Sequence, residues 1–478
     1  MNRTRTVAKN IVVRSVSQVA NIILSAFFVI YITRKLGSAD FGKYTTVFSL
    51  ASLLAITVTD LGIHTLLTKE IARKKNNPRL FFGNVIIIKL VLSLLFFGSL
   101  YMTTYILDYT DEVVYIAYVM GVFVLTTSFF ELFNSIFRGS ERMEYEAASM
   151  FINRLVVVIS GGAALFIGYN LKVLVAVMAI SNFVSFIPAI AVSFRRFIVP
   201  EFKLDIYLIK TIFKEAFPVG LILIFTNLNL KFGVVLLSFF EDYSAIGWYG
   251  APLRLIESLI VFPLFLTTAL LPVFTSLHHS GDKSINKWYE GSFRLMIIIG
   301  IPAVLWVNLV ADKIVLLLFG PEYANSAVVL QLLTAALFFL AINMLFSHIL
   351  IAVDKQIFNI KSFGAGTVTT VALSLVLIPF FSYTGAGIAF LIGQVVIFIT
   401  SFHIIHESLH EIPIFRFALK PLIGSIITGI IMFYIREWNV AVVSLIGIFL
   451  YLCILVSLRT VQHEDIELLR GLFFIRKT

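Results

Sequence analysis

Six basic side chains fall inside stretches that otherwise read as hydrocarbon: Arg14, Lys89, Arg154, Lys231, Arg254 and Arg294. Three acids share such stretches, Asp60, Glu131 and Glu257. A charge in a bilayer is expensive unless it meets water, a partner or a ligand, so each is half of an ion pair or part of a polar path. The excess of cations favours an anion as the ligand. Arginine suits phosphate because its planar fork donates paired hydrogen bonds, and lysine adds a point charge. Arg14, Gln18, Asn21 and Ser25 recur at the helical spacing of four, three and four, which makes one polar stripe along the first apolar run. Asn227 and Asn229, shortly before Lys231, carry amides that can hydrogen-bond hydroxyls, while Trp248 and Tyr249 offer aromatic faces or serve as interfacial belt residues.

Helix rise gives these groups depths. Lys231 falls about 15 Å below the end of the seventh run near Glu241, and Arg254 and Glu257 fall about 14 Å and about 18 Å down the eighth from Ala245. The three are expected at one level, with Glu257 three residues from Arg254 and able to hold its guanidinium. Arg14, Gln18, Asn21, Asn227, Lys231 and Arg254 form the candidate binding set. Asp60 and Glu257 are candidates for ion coupling or for ion pairing. Glu131 and Arg154 lie before and after the turn from Arg138 to Tyr145 at similar depths and are expected to form a structural ion pair. The lone Cys453 excludes a disulfide within the chain and a cysteine metal site; no metal site or cofactor is expected.

The elements that must carry these residues follow from composition. With 59% hydrophobic and 13% charged residues over 478 positions, mean hydropathy +0.97, the sequence departs from soluble globules, which are nearer about 45–50% apolar. It reads as an all-α polytopic membrane protein. Apolar windows place about fourteen spans, at 10–32, 41–66, 81–107, 113–137, 145–168, 172–194, 212–240, 245–276, 286–309, 323–352, 357–380, 384–405, 414–435 and 438–458. The first is expected to be an uncleaved span rather than a signal peptide, because it is too long and too polar along one side. Most of the 37 basic residues fall in alternate loops, including Lys69 to Arg79, Arg138 with Arg142, and Arg195 to Lys214. That alternation places both termini in the cytoplasm, and the net charge of +10 belongs to loops rather than to a nucleic-acid surface.

The chain also repeats. SADFGKY at Ser38–Tyr44 returns as YSAIGWY at Tyr243–Tyr249, 205 residues later, and the same offset carries Lys89 onto Arg294. Two parallel six-helix lobes follow, residues 1–194 and 212–406, joined by a basic cytoplasmic linker at 195–211 that lies on the membrane surface. Two additional helices at 407–458 and a cytoplasmic tail at 459–478 complete the chain.

Five segments in order, LGSADFGKY, TDLGIHTLLTKEIARKK, RGSERMEYEA, LFGPEYANSAVVLQLLT and IAVDKQIFNIKSFGAGTVTT with its continuation, resemble the polysaccharide (O-antigen type, Wzx-like) flippases of the multidrug/oligosaccharidyl-lipid/polysaccharide exporter superfamily. The resemblance covers nearly the whole chain. It implies a MATE-like fold in the cytoplasmic (inner) membrane and alternating access between two lobes. The implied cargo is a polyprenyl-pyrophosphate-linked oligosaccharide, with membrane lipids and a glycan polymerase or glycosyltransferases as partners and no nucleic acid. It also implies that the first, second, seventh and eighth helices border a central cleft, which are the helices bearing Arg14, Asp60, Lys231, Arg254 and Glu257. A lipid II flippase and a multidrug exporter of the same superfamily are the alternatives; cationic drugs fit the cationic excess poorly. A membrane glycan-processing enzyme would need a sizeable extramembrane loop carrying acids, and no loop is long enough.

Overall fold

The computed structural model describes residues 3–73, 77–407, 409, 413–458 and 460, with the side chains of 3–16 and 414 outside that description. The described residues are helical, without a strand. In order, α1 is Arg3–Leu54, α2 Ile63–Arg73, α3 Pro78–Ile106, α4 Asp111–Gly139, α5 Met143–Ile167, α6 Leu171–Arg196 and α7 Ile206–Phe240. They are followed by α8 Tyr243–Leu259, α9 Val261–His279, α10 Ser284–Leu318, α11 Ser326–Ala352, α12 Ile357–His406, α13 Ile414–Ile435 and α14 Val440–Ser457.

Twelve described stretches are long and apolar enough to cross a bilayer, and two of these are too long to cross it once. Ser17–Asp60 has 44 residues and α12 has 50, about 66 Å and about 75 Å of helix against a hydrocarbon core of about 30 Å. Each is interrupted where a crossing must end. Gly37 leaves helical geometry at φ 73°, which costs glycine nothing, and Ser382 does so at φ 52°, three residues after Pro379 has removed a backbone donor. Divided there, the twelve stretches supply fourteen crossings, the number that hydropathy indicates.

A second kind of break lies inside a crossing. The turn before α2 is a π-helix, Ala55–Asp60, closed by Leu61 at φ 39° and Gly62 at φ 78°. The other repeat breaks at the matching place, because Ile260, 205 residues after Ala55, separates α8 from α9. Gly62 is packed against α7: a methyl group on it would lie 2.9 Å from the backbone nitrogen of Gly220.

The chain divides into two compact units, Met1–Gly250 and Ala251–Thr478, with the boundary inside α8. The first is cored by Phe82, Phe133, Phe137 and Phe186, where Phe82 and Phe186 present edges to Phe133 at 5.5 and 5.3 Å. The second is cored by Phe293, Phe346 and Ile405, with Phe293 stacked on Phe346 at 5.9 Å. Large apolar side chains such as Leu94, Phe166, Phe380 and Tyr434 point outward, as a hydrocarbon solvent requires.

Within the first unit the two copies of the repeated motif lie against each other. A methyl group on Gly42 would fall 1.7 Å from the carbonyl oxygen of Tyr243, and one on Gly247 would fall 2.1 Å from that of Ser38. Ser38 precedes Gly42 by four residues, as Tyr243 precedes Gly247. The contact is therefore reciprocal, and Thr45 completes it by meeting its own counterpart, Gly250. Two helices approach this closely only where side chains are absent, the device of small-residue pairs in membrane helices.

The segment after α6 is bound to the start of α3. Asn84, fully buried, donates to the carbonyls of Leu80 and Lys203 and accepts from the Asp205 amide, while the Glu201 amide donates to Arg79 O at 3.0 Å. Gly83 allows this, since a methyl group there would lie 2.0 Å from Glu201 O. Val199, Phe202 and Leu204 of the same segment are exposed. Gly83→Ala should lower stability by about 1–3 kcal/mol through forced displacement of the segment. Gly98→Ala, whose methyl group meets nothing within 4 Å, should leave stability unchanged or slightly higher. Thermal unfolding of the purified protein in detergent compares the two.

Candidate functional site

Buried charges fasten neighbouring helices within the first unit. Lys89 on α3 is 1% exposed, and its ammonium donates to Asp60 Oδ1 at 2.7 Å, Ser128 Oγ at 2.6 Å and Ser128 O at 3.1 Å. The Ser128 hydroxyl donates in turn to Asp60 Oδ1 at 2.6 Å. All three ammonium protons are used and the charge is matched, so the cluster ties α3 and α4 to the π-helical turn that Asp60 ends. The repeat keeps the cation but not the acid: Arg294 on α10 is 5% exposed and lies 5.4 Å over the Phe417 ring of α13, and the position equivalent to Asp60 is Phe265.

The partner expected for Glu131 is Arg154. Glu131 pairs instead with Arg138, seven residues along the same helix, and Arg138 also donates through Nε to Glu146 Oε1 at 2.9 Å. Two helical turns put residues seven apart on one face, so the long guanidinium reaches back along α4 while holding the buried acid of α5. In the sequence Arg138 stands only as a loop charge. The signal available was Glu146, an acid in the first turn of the next helix with an apolar surround.

The remaining candidates are distributed over both units. In the first, Gln18 and Asn21 are half-buried on α1, with the Asn21 side-chain oxygen accepting no hydrogen bond among the described residues; the Arg14 side chain lies outside them. On α7 the Asn227 amide donates back to Leu223 O at 3.1 Å, and Asn229 is buried. Lys231 is 6% exposed, with its ammonium 5.4 Å over the ring of Phe48 on α1, a cation–π contact suited to a desolvated site. In the second unit, Arg254 on α8 donates to Glu257 Oε2 at 3.1 Å and is 12% exposed at its side chain. That arrangement keeps a guanidinium neutralised by a neighbour on its own helix.

The Asp60–Lys89 contact yields a stability test. Lys89→Met should sharply lower the yield of folded protein, because removing one partner of a buried pair costs about 3–5 kcal/mol. Adding Asp60→Asn should recover a large part of it. Size-exclusion profiles of the single and double variants provide the comparison, and equal losses in both would contradict the pairing.

Comparison with known proteins is consistent with this architecture. A solved lipid II flippase MurJ in an inward closed conformation matches with TM-score 0.77 and 15% identity, over 94% of this chain and 99% of that one. A multidrug resistance MATE family transporter of the MOP superfamily, inward-facing, matches with TM-score 0.62 and 15% identity, over 83% and 98%. These likenesses are of fold. By sequence, an uncharacterized membrane protein of Methanocaldococcus jannaschii is 24% identical over 198 residues, 41% of this chain and 38% of that relative, so the match spans under half of either. The family model described as polysaccharide biosynthesis protein matches residues 7–278. That match takes in more than half of the chain, including nearly all of the first unit and the α8–α9 break, and the chain belongs to this polysaccharide biosynthesis protein family.

Proposed function

We propose that this protein is a flippase for a polyprenyl-pyrophosphate-linked oligosaccharide, the repeat unit of a surface polysaccharide, and that it works by alternating access. The observation that carries the reading is the presence of two largely buried cations, Lys231 and Arg254, on helices of a flippase-like fold in a polysaccharide biosynthesis family. The cargo has a pyrophosphate that hydrocarbon rejects, sugars rich in hydroxyls and an apolar tail. Arg254 offers the pyrophosphate a planar fork and Glu257 holds that fork between turnovers, while Lys231 supplies a point charge and Asn21, Gln18 and Asn227 face the sugars.

Alternating access needs a contact that closes one side and parts on the other half of the cycle. The reciprocal Gly42–Gly247 contact supports this role, because it is built from backbone on backbone. With the termini cytoplasmic, as the alternation of basic loops favours, this contact lies at the outer face. Lipid II, for which the structurally similar MurJ flippase is named, is the alternative cargo. It is the second reading, on the strength of the fold match across 94% of the chain.

The test uses protein reconstituted in liposomes with a fluorescent polyprenyl-pyrophosphate glycan. Arg254→Ala and Lys231→Ala should each cut translocation by about 10-fold or more, the worth of a charge-assisted hydrogen bond. Arg254→Lys should restore only part of the rate because the fork is lost. Full activity in the double alanine variant at normal abundance would place the anion site elsewhere.

A further inference from the structure

We infer that the groove between the first turns of α4 and α6 is a binding site for one zwitterionic phospholipid of the surrounding bilayer, a site separate from the cargo path. Lys172, Val173, Ala176, Val177 and Ile180 recur at helical spacing and form one wall along α6, and Tyr115 of α4 forms the other; the cavity is about 550 Å³. From Lys172 to Ile180 the wall descends about 12 Å. The groove thus starts at headgroup level, in the first turn of α6, and runs into hydrocarbon, where Ile180 is exposed at its lipid side.

The rim carries charge that the fold does not use. Lys172 makes no ion pair or hydrogen bond among the described residues, and neither does the Tyr115 hydroxyl. Asn170 already caps α6 by accepting from the Val173 amide at 3.2 Å, so Lys172 is not needed to finish the helix. Of the two acids in the first turn of α4, Glu112 is taken by Lys43 at 3.1 Å. Asp111 has no partner among the described residues and stands one turn before Tyr115 on the same face. Lys172 and Tyr115 line the groove and Asp111 stands one turn beyond Tyr115 on α4, an order that matches a headgroup with a phosphate and a primary ammonium: phosphate to Lys172 and Tyr115, ammonium to Asp111, one acyl chain along Ala176 and Ile180. A headgroup lacking the ammonium leaves Asp111 unanswered.

Native mass spectrometry of the full-length protein, equilibrated with phosphatidylethanolamine or phosphatidylglycerol, reads this directly. Wild type should retain one phosphatidylethanolamine in preference to phosphatidylglycerol. Lys172→Gln should retain it about fivefold less, the worth of one basic residue at a lipid surface. Ala176→Phe, which fills the groove and keeps every charge, should lower it too, and Asp111→Asn should erase the preference between the two lipids. Equal retention by wild type, Lys172→Gln and Ala176→Phe would overturn the site. A wild-type preference for phosphatidylglycerol would overturn the headgroup, and displacement of the lipid by stoichiometric polyprenyl phosphate would assign the groove to the cargo.

Discussion

Hydrocarbon leaves a bare charge nowhere to go, and that constraint arranges most of the interior of this protein. Lys89 meets it completely, with three donors spent on Asp60 and Ser128. Arg138 meets it with two acids from two helices. Such clusters are poor machinery for a ligand, since a ligand would have to outbid partners already in place on several helices. Lys231 lies over an aromatic ring, and Arg254 meets an acid of its own helix.

The second constraint is backbone proximity. Gly42 and Gly247 let the two copies of one motif meet reciprocally, with Thr45 facing its counterpart Gly250. When a residue meets its own equivalent there is room for one side chain, and the sequence places threonine on one side and glycine on the other. Below this contact the crossing that ends at Arg73 is broken at Ala55–Gly62 and packed there against Gly220. A helix fastened at its end and softened in its middle can bend without losing either attachment, which suits the motion that alternating access demands.

Much of this was legible in the sequence. The crossings could be counted even where the helix runs on without a loop, because a bilayer limits the length of one span whatever the local geometry, and Gly37 and Ser382 fall between the expected spans. The repeat at 205 residues announced Gly42 and Gly247 as equivalents, although nothing in the residues said that they touch. Arg254 and Glu257 meet because residues three apart on a helix must. Pairings between helices were less legible: the rotation of each helix about its axis is set by packing, so Asp60 found Lys89, and Glu131 found Arg138 rather than Arg154, without a signal in spacing alone. The break after Leu54 was hidden for a similar reason, since a π-turn needs no proline and Gly62 alone does not announce one.

The proposed alternating access requires the contact between the two motif copies to part in each cycle. A methyl carbon at residue 250 would lie 3.1 Å from the Thr45 Cβ, near the range of about 3.5–4.5 Å that a disulfide accepts. In a Cys453→Ser background, which removes the one native thiol, Thr45→Cys with Gly250→Cys can be oxidised and reduced at will. Translocation of polyprenyl-pyrophosphate glycan in liposomes should stop on oxidation and return on reduction. Undiminished translocation by fully cross-linked protein would contradict the account.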